Sequence, residues 1–197
     1  IFVTPSCHHP LGMTMPMEQR LNLIHMAEAW RSWIIEDDYD GEYRFQGQPI
    51  PALQGISASK RVVYVGTFAK ILFPAMRLGF LVVPKAIGDT IEAALSVSGQ
   101  FAPLLTQAAL ADFMNEGHFT RHLRRSRRLY AERRVTFLEA AERHLGRWLQ
   151  FRGGESGIQI VGIFRDGRDD KAIVKAAHQQ GVNVSALSIQ YRHDAAQ

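Results

Sequence analysis

The sequence predicts an α/β protein whose first part is built on a parallel sheet and whose last part is a small α+β domain. Short apolar runs rich in β-branched residues are typical of strands buried on both faces, and they occur at 1–4, 33–35, 61–65 and 78–83. An amphipathic helix pattern at 17–31 lies between the first two runs, as expected for a crossover helix. After Pro84 the pattern changes to long helices, with short strands only near the end.

The remaining elements follow in chain order. The first strand ends in a loop that contains Pro and Gly and runs through Gly12. Beyond Pro84 we predict helices at 87–98, 106–145 and 169–180, and strands at 148–152, 158–164 and 182–184. We therefore divide the chain into a partial large domain (1–100), a connecting helix region (101–146) and a partial small C-terminal domain (147–197).

Composition places the chain among ordinary globular proteins, with 46% hydrophobic and 21% charged residues in a length of 197. The single cysteine, Cys7, excludes an internal disulfide and fits a reducing, cytoplasmic location. We find no apolar run of membrane length and no signal peptide, so no membrane partner is expected. The chain starts at Ile1 instead of a methionine, and we expect it to begin partway through a domain.

Basic residues are concentrated in one helical segment. The net charge is +4, and residues 121–152 contain ten arginines against three glutamates. Apolar residues recur there at helical spacing and predict a buried stripe of Phe119, Leu123, Tyr130, Phe137 and Ala141. A solvated helix surface or a subunit contact is the expectation for these arginines, and a nucleic-acid surface is the alternative.

Polar clusters follow three of the predicted strands, at 4–12, 36–40 and 66–70. Open parallel sheets bind ligands beyond the carboxyl ends of their strands, so these clusters are expected to share one crevice. The third cluster ends at Lys70, which the apolar run 71–74 follows. Burying an ammonium group is costly, and a Schiff base with an aldehyde cofactor would remove that charge. The alternative is a lysine that extends its amine to solvent at a strand end.

The acidic cluster contains Asp37, Asp38, Asp40 and Glu42. It could hold a hard cation, although the ligand spacing of a calcium loop is missing. Alternatively, one carboxylate could face a pyridine nitrogen and keep it protonated, with Tyr39 near the phenolic oxygen of the same ring. Arg77 and Thr67 add phosphate donors close to Lys70 in sequence.

These motifs resemble those of fold-type I enzymes that depend on pyridoxal 5'-phosphate (PLP), the class I/II aminotransferases. The segments that carry the resemblance are Trp33-Ile-Ile-Glu-Asp-Asp-Tyr-Asp, Pro51-Ala-Leu-Gln, Val63-Tyr-Val-Gly-Thr-Phe-Ala-Lys and Leu72-Phe-Pro-Ala-Met-Arg-Leu-Gly. More narrowly, the sequence is similar to the aminotransferase-like domain of MocR-type regulators in the GntR family. The resemblance extends over nearly the whole chain and implies a fragment of the large PLP-binding domain.

The resemblance also implies residue roles. Lys70 would form the Schiff base with PLP, Asp37 would pair with the pyridine nitrogen, and Tyr39 with the phenolic oxygen. Arg77 would bind the phosphate, assisted by Thr67. We choose Asp37 over Asp38 from its spacing to the other motif residues. Neighbouring strand residues point to opposite faces, which separates the two without deciding which face holds the ring.

The sequence departs from the family in one loop. Cys7-His8-His9 stand where family members carry a His-Gln-aromatic run. We interpret Cys7 as a packed residue, because nothing in the sequence lowers its pKa, and the two histidines do not make a metal site. The glycine-rich phosphate turn, the aromatic residue that stacks on the ring, and the arginine that grips a substrate carboxylate are missing from this chain.

Three functions remain open from the sequence. The first is the effector-sensing part of a MocR-type regulator that binds an amino acid or amine, forms a homodimer, and binds DNA through a module absent from this chain. The second is an active aminotransferase that exchanges an amino group between an amino acid and a 2-oxo acid, with Lys70 as the catalytic base. The third is a basic nucleic-acid-binding module without a cofactor.

Overall fold

A computed structural model describes residues 1–56, 60–99, 101–152 and 156–191 of the protein. The strands are β1 (Phe2–Val3), β2 (Ile34–Asp38), β3 (Val62–Thr67), β4 (Gly79–Val82), β5 (Leu149–Arg152) and β6 (Val161–Phe164). The α-helices are α1 (Met17–Ala29), α2 (Leu53–Ile56), α3 (Gly88–Ser98), α4 (Leu104–Asn115), α5 (His118–Leu145) and α6 (Asp170–Gln179).

The main sheet has the order β1-β2-β3-β4, and its first three strands are parallel. The prediction of a wholly parallel sheet is wrong for β4, which pairs antiparallel with β3. Parallel neighbours need a crossover of a dozen or more residues, whereas residues 68–78 form a shorter link with only a 3₁₀ turn at Pro74–Met76. The sheet is therefore mixed.

One face of this sheet carries the core. Helices α1 and α2 pack against it, and the core consists of Ile24, Ala27, Ile34, Leu53 and Val62. The opposite face is open among the described residues, where Phe2 is 64%, Ile35 41% and Leu81 40% exposed. The described helices thus cover one face of this sheet and leave the other uncovered.

The predicted helix at 106–145 is two helices. Helix α4 ends before Gly117, whose φ of 75° is a left-handed conformation that interrupts the helical backbone. Helix α5 then begins at His118 and runs for 28 residues. Across the described residues, no helix combines the length and the apolar character that a membrane crossing requires.

The predicted stripe of α5 is confirmed in part. Ala141 is buried and Phe119, Leu123 and Tyr130 are half-buried. Phe137 was expected to be buried and is 51% exposed, although its ring contacts the edge of the Phe151 ring at 6.4 Å between centroids. Helical spacing predicts the direction of a side chain, but not whether another element reaches it.

The last part of the chain contains the antiparallel pair β5–β6 and helix α6. Asp169 caps α6 by accepting a hydrogen bond from the Lys171 N–H at 2.9 Å. The predicted strand at 182–184 is wrong. The Val182 N–H donates to the Ala177 carbonyl at the end of α6, and this segment pairs with no described strand.

Candidate cofactor site at the carboxyl edge of the sheet

The three predicted polar clusters leave the same edge of the sheet. Strands β1, β2 and β3 run in one direction, with Val3 beside Glu36 and Asp38 beside Gly66. The segments that follow these strands therefore meet beyond their carboxyl ends, as predicted. A direct contact joins two of them, because the Tyr39 hydroxyl donates to the Cys7 carbonyl at 3.1 Å.

Asp37 and Asp38 lie on opposite faces of β2. Asp38 accepts hydrogen bonds from the Tyr64 hydroxyl at 3.0 Å and from the Gly41 N–H at 3.1 Å. The Asp37 carboxylate makes no hydrogen bond within the described ranges and is half-buried. Burial, and then the charge of Asp38, raise the pKa of Asp37. Of the two carboxylates, only that of Asp38 is engaged in hydrogen bonds with other described residues.

Thr67 lies on the same face of the sheet as Asp37. Asp37 is beside Val65 in the register, and Thr67 follows Val65 by two residues. The Thr67 hydroxyl oxygen accepts a hydrogen bond from the Ala69 N–H at 3.2 Å, which shapes the turn before Lys70.

Lys70 lies in the turn that follows β3, and its side chain is exposed. The expectation that this lysine is buried among apolar residues is wrong, since only its neighbour Ile71 is buried. Burial raises the pKa of the Asp40 carboxyl, and the positive charge of Lys70 opposes that rise only slightly. Lys70 thus lies in an exposed turn beyond the carboxyl end of β3.

Arg77 lies between the 3₁₀ turn and β4, with an exposed side chain. Its φ of 49° is unusual for a residue other than glycine and carries a small backbone strain. The hydrogen bond from the Phe68 N–H to the Leu78 carbonyl, at 3.0 Å, holds the Arg77 segment against the Lys70 turn. No ion pair of the Arg77 guanidinium occurs within the described part of the chain.

Asp40 and Cys7 form a buried polar pair beyond the carboxyl ends of β1 and β2, with the Asp40 carboxylate fully buried. One Asp40 oxygen accepts from the Ile158 N–H at 3.1 Å, while the other has no partner among the described residues. Burial raises the pKa of Asp40 to about 6, against the lowering effect of the Ile158 N–H. Burial, followed by the charge of Asp40, raises the pKa of Cys7 to about 11. Cys7 is therefore a packed thiol.

Residues 156–158 come from the last part of the chain and contact this site. The Ser156 hydroxyl donates to the Ser6 carbonyl at 2.8 Å, and the Gly157 N–H donates to the Tyr43 carbonyl at 2.8 Å. A side chain at Gly157 would place its Cβ 2.2 Å from the Cys7 sulfur. This contact is not predictable from the sequence, because no local pattern connects positions about 150 residues apart.

A buried ion pair that local sequence patterns do not predict supports the loops. Arg20 and Glu36 are fully buried, with 4.0 Å between nitrogen and oxygen. Arg20 donates to the carbonyls of Met15, Pro51 and Pro5 at 2.7–3.0 Å. Glu36 accepts the N–H groups of Leu53 and Gln54 at 2.7 and 2.9 Å. One feature of the sequence does indicate that Glu36 is buried. It follows Ile34 by two residues and therefore lies on the same face of the strand as this apolar residue.

Helix α5 packs against the loops of the site. The Phe119 ring meets the Phe68 ring edge-on at 6.1 Å between centroids, and His122 hydrogen-bonds the Ile71 carbonyl at 2.8 Å. One turn further on, the Arg127 guanidinium donates to the Glu42 carbonyl. The first three turns of α5 are thus attached to the segments that carry Lys70 and the acidic cluster.

The cation alternative finds no support in this geometry. Asp38 is occupied by two hydrogen bonds, and Asp40 accepts from the backbone of another segment. Over the described ranges, no three His, Cys, Asp or Glu side chains are grouped as ligands of a metal ion.

The family model for aminotransferase class I and II matches residues 1–192. The chain belongs to this family. Its fold is that of the fold-type I aminotransferases, and PLP is the cofactor of this fold. Kynurenine aminotransferase of Pyrococcus horikoshii, solved with pyridoxamine phosphate, superposes with a TM-score of 0.85 at 29% identity. That match covers 92% of this chain and 45% of the aminotransferase.

Among curated proteins, this family member is similar to transcriptional regulators. It is 52% identical over 193 residues to the probable rhizopine catabolism regulatory protein MocR of Rhizobium meliloti, covering 98% of this chain and 39% of that protein. It is 33% identical to the pyridoxine biosynthesis regulator PdxR of Corynebacterium glutamicum, covering 95% and 40%. Aromatic-amino-acid aminotransferase 1 of Thermococcus litoralis is 26% identical, with 92% and 44% covered. The chain spans less than half the length of these relatives.

Proposed function

We propose that this chain is the cofactor-binding part of a MocR-type transcriptional regulator that detects an amino acid or amine. The observation that carries the proposal is the order of similarity, because the regulator MocR is 52% identical to this chain and the aminotransferase of T. litoralis 26%. The regulator PdxR, at 33%, also stands above that enzyme.

The residues at the carboxyl edge fit PLP. Asp37 is a carboxylate that the fold leaves available, on the same face as Thr67. A protonated pyridine nitrogen beside Asp37 would offset the burial that raises the pKa of this carboxyl. Arg77 presents an exposed guanidinium from a segment held beside the Lys70 turn, as a phosphate ligand would require.

Each residue would then have one role. PLP supplies an aldehyde that amines attach to and a ring that withdraws electrons from the attached carbon. Lys70 would bind the aldehyde group of the cofactor. Asp37 would keep the pyridine nitrogen protonated, Tyr39 would orient the phenolic oxygen, and Arg77 and Thr67 would hold the phosphate. Tyr39 would share its hydroxyl between the ring and the Cys7 carbonyl that it now contacts.

The partners belong to the same proposal. DNA would bind through a module outside this chain, and a second copy would complete the cofactor site in a homodimer. A regulator of this kind works where the DNA is, in the cytoplasm of a bacterium, and the single cysteine fits that compartment.

The experiment is PLP reconstitution of the full-length protein, monitored by the visible absorption band of lysine-bound PLP. Lys70→Ala is expected to lose this band, because no other amine takes its place in the turn. Lys85→Ala removes an exposed lysine elsewhere and should keep the band. An unchanged band in Lys70→Ala would contradict the assignment of Lys70.

The second candidate function, an active aminotransferase, is favoured by the 29% identity to kynurenine aminotransferase. Adding an amino acid together with a 2-oxo acid to the reconstituted protein separates the two functions. A sensor is expected to change its absorption band once and then stop, whereas an enzyme converts both compounds continuously.

A further inference from the structure

We propose that the outward face of the N-terminal half of α5 binds the phosphate backbone of duplex DNA. Four residues form this face, which we call the arginine strip: Arg121, Arg124, Arg125 and Arg128. The inference rests on the proposed function, because it adds a second DNA contact to a protein whose sequence-reading module lies elsewhere.

The strip is continuous and solvent-facing. Its members are spaced three and four residues apart, which places them on one side of the helix over about 10 Å. All four side chains are exposed. Phe119, Leu123 and Tyr130, on the other side of α5, are turned toward the protein. The strip therefore covers a surface that the described part of the chain leaves open.

The fold gains little from these charges. The first turn of α5 contains no acidic residue, and cations near a helix N-terminus oppose the helix dipole. Like charges three and four residues apart also repel each other. Arg128 has an exposed partner in Glu132 at 3.8 Å, and Arg121 contacts His118, but neither Arg124 nor Arg125 has an ion pair within the described ranges. The arginines of the strip are therefore not explained by the stability of the fold.

Duplex DNA fits this surface better than other anions. Arginine forks bind phosphate oxygens in pairs, and all four residues are arginines, not lysines. A strip of about 10 Å equals about three steps of one DNA strand along the duplex axis, since each step rises about 3.4 Å. Relatives at 36% and 37% identity are helix-turn-helix regulators, so DNA is the anion that such a protein meets.

The same helical turns contact the cofactor lysine segment from the inside. Phe119 packs on Phe68, and His122 bonds to the Ile71 carbonyl. The helical turns that carry the strip are therefore attached to the segment that carries Lys70.

The test measures DNA affinity of the full-length, PLP-loaded protein as a function of salt. The variant is Arg124→Gln/Arg128→Gln, since glutamine keeps the helix propensity of arginine. The matched control is Lys171→Gln/Lys175→Gln, an exposed pair with the same spacing on α6 and the same change in net charge. The probe is an operator duplex with flanking DNA, compared with a duplex trimmed to the sequence-specific core.

In the strip variant we expect the slope of log K against log salt to fall by about 2, and affinity for the long duplex to fall about tenfold or more at 0.1 M salt. The control should change neither, and the trimmed duplex should bind both variants alike. Thermal unfolding of the strip variant should be unchanged or slightly raised, which separates lost binding from lost folding.

Two results would overturn the inference while leaving the proposed function intact. One is an unchanged salt slope in the strip variant of a protein that still binds its operator. The other is an unchanged slope together with loss of a stable complex between two protein copies, which would identify the strip as a subunit contact. Failure of the wild-type protein to bind any duplex would instead reject the regulator function itself.

Discussion

At the level of single residues, Asp37 and Asp38 are chemically alike, yet the strand gives them different surroundings. Asp38 is bonded to Tyr64 and Gly41, whereas the Asp37 side chain has no hydrogen bond in the described part of the chain. Asp37 was chosen from its spacing in the sequence, and its role as the partner of the pyridine nitrogen stays a prediction. The alternation of a strand predicts the separation, but only the contacts of Asp38 distinguish the two faces.

This difference predicts opposite effects of two matched substitutions. Asp38→Asn is expected to lower the free energy of unfolding by about 1–2 kcal/mol, because its charged hydrogen bonds are weakened. Asp37→Asn should leave stability within about 0.5 kcal/mol and weaken PLP binding by roughly tenfold or more. Urea denaturation and PLP titration measure the two effects. The assignment of Asp37 fails if Asp38→Asn alone reduces PLP affinity.

Asp40 predicts a dependence of stability on pH. Its pKa in the folded protein is about 6, above the ordinary value of 3.8, so the folded state favours the protonated carboxyl. The contribution of Asp40 to the free energy of unfolding is fully present below about pH 4. It is lost as the pH rises from about 4 to 6, because the carboxyl ionises at lower pH in the unfolded state than in the folded state. The loss is roughly 3 kcal/mol for a shift of about two pKa units.

Asp40→Asn isolates this effect, since an amide keeps the acceptor for the Ile158 N–H and does not ionise. In urea unfolding experiments, the free energy of unfolding of the variant relative to wild type should rise by about 3 kcal/mol between pH 4 and pH 7. A stability difference that stays constant over this range would show that the buried carboxyl does not titrate as inferred.

At the level of elements, Arg20 and Glu36 connect β1, β2, α1 and α2 through one buried pair. Arg20 binds the carbonyls that precede α1 and α2, and Glu36 binds the first N–H groups of α2. The pair thereby fixes the entry to α1 and the start of α2 relative to the strand that carries Asp37. Sequence patterns miss such a pair, because a charged residue in a strand or an amphipathic helix is usually assigned to the solvent side.

Removing one member of this pair should be strongly destabilising. Arg20→Ala leaves the Glu36 charge buried and three carbonyls without a donor, so we expect a loss of about 3–5 kcal/mol in the free energy of unfolding. Glu28→Ala, at an exposed position of the same helix, should stay within about 0.5 kcal/mol. Similar small effects for both substitutions in urea denaturation would refute a structural role for the pair.

The errors of the sequence analysis also lie mostly at this level. The run at 78–83 has the composition of a strand, but composition does not predict the direction in which a strand runs. The link after β3 is too short for a parallel crossover, so β4 pairs antiparallel with β3. The break at Gly117 was missed because the helical periodicity continues on either side of it. The apolar surroundings suggested for Lys70 reflected its neighbours in sequence, whereas the turn exposes its side chain.

For the whole molecule, the convergence of three clusters at one edge was predictable, because parallel strands align their carboxyl ends. The contact of residues 156–158 with the Cys7 loop was not predictable, since it depends on how the last part of the chain packs. This contact places the second part of the molecule against the segment that carries Tyr39. An amino compound that moves the Cys7 loop would therefore also displace Ser156 and its neighbours.

The exposed apolar residues around the start of α4 belong to the same level. Val97 is 91%, Phe101 67%, Leu104 82% and Leu105 83% exposed, and such a cluster of large apolar side chains marks a protein contact. We propose a second copy of the chain as the occupant of this surface, because the family resemblance implies a homodimer. Leu104→Asp/Leu105→Asp should therefore convert a dimer to a monomer in light scattering after size exclusion, and lower PLP affinity if the site is completed by the partner.

Val135→Asp/Val182→Asp, at exposed positions elsewhere, should remain dimeric. A dimer that survives the first pair of substitutions would require another interface, and the open sheet face with Phe2, Ile35 and Leu81 would be the next surface to mutate.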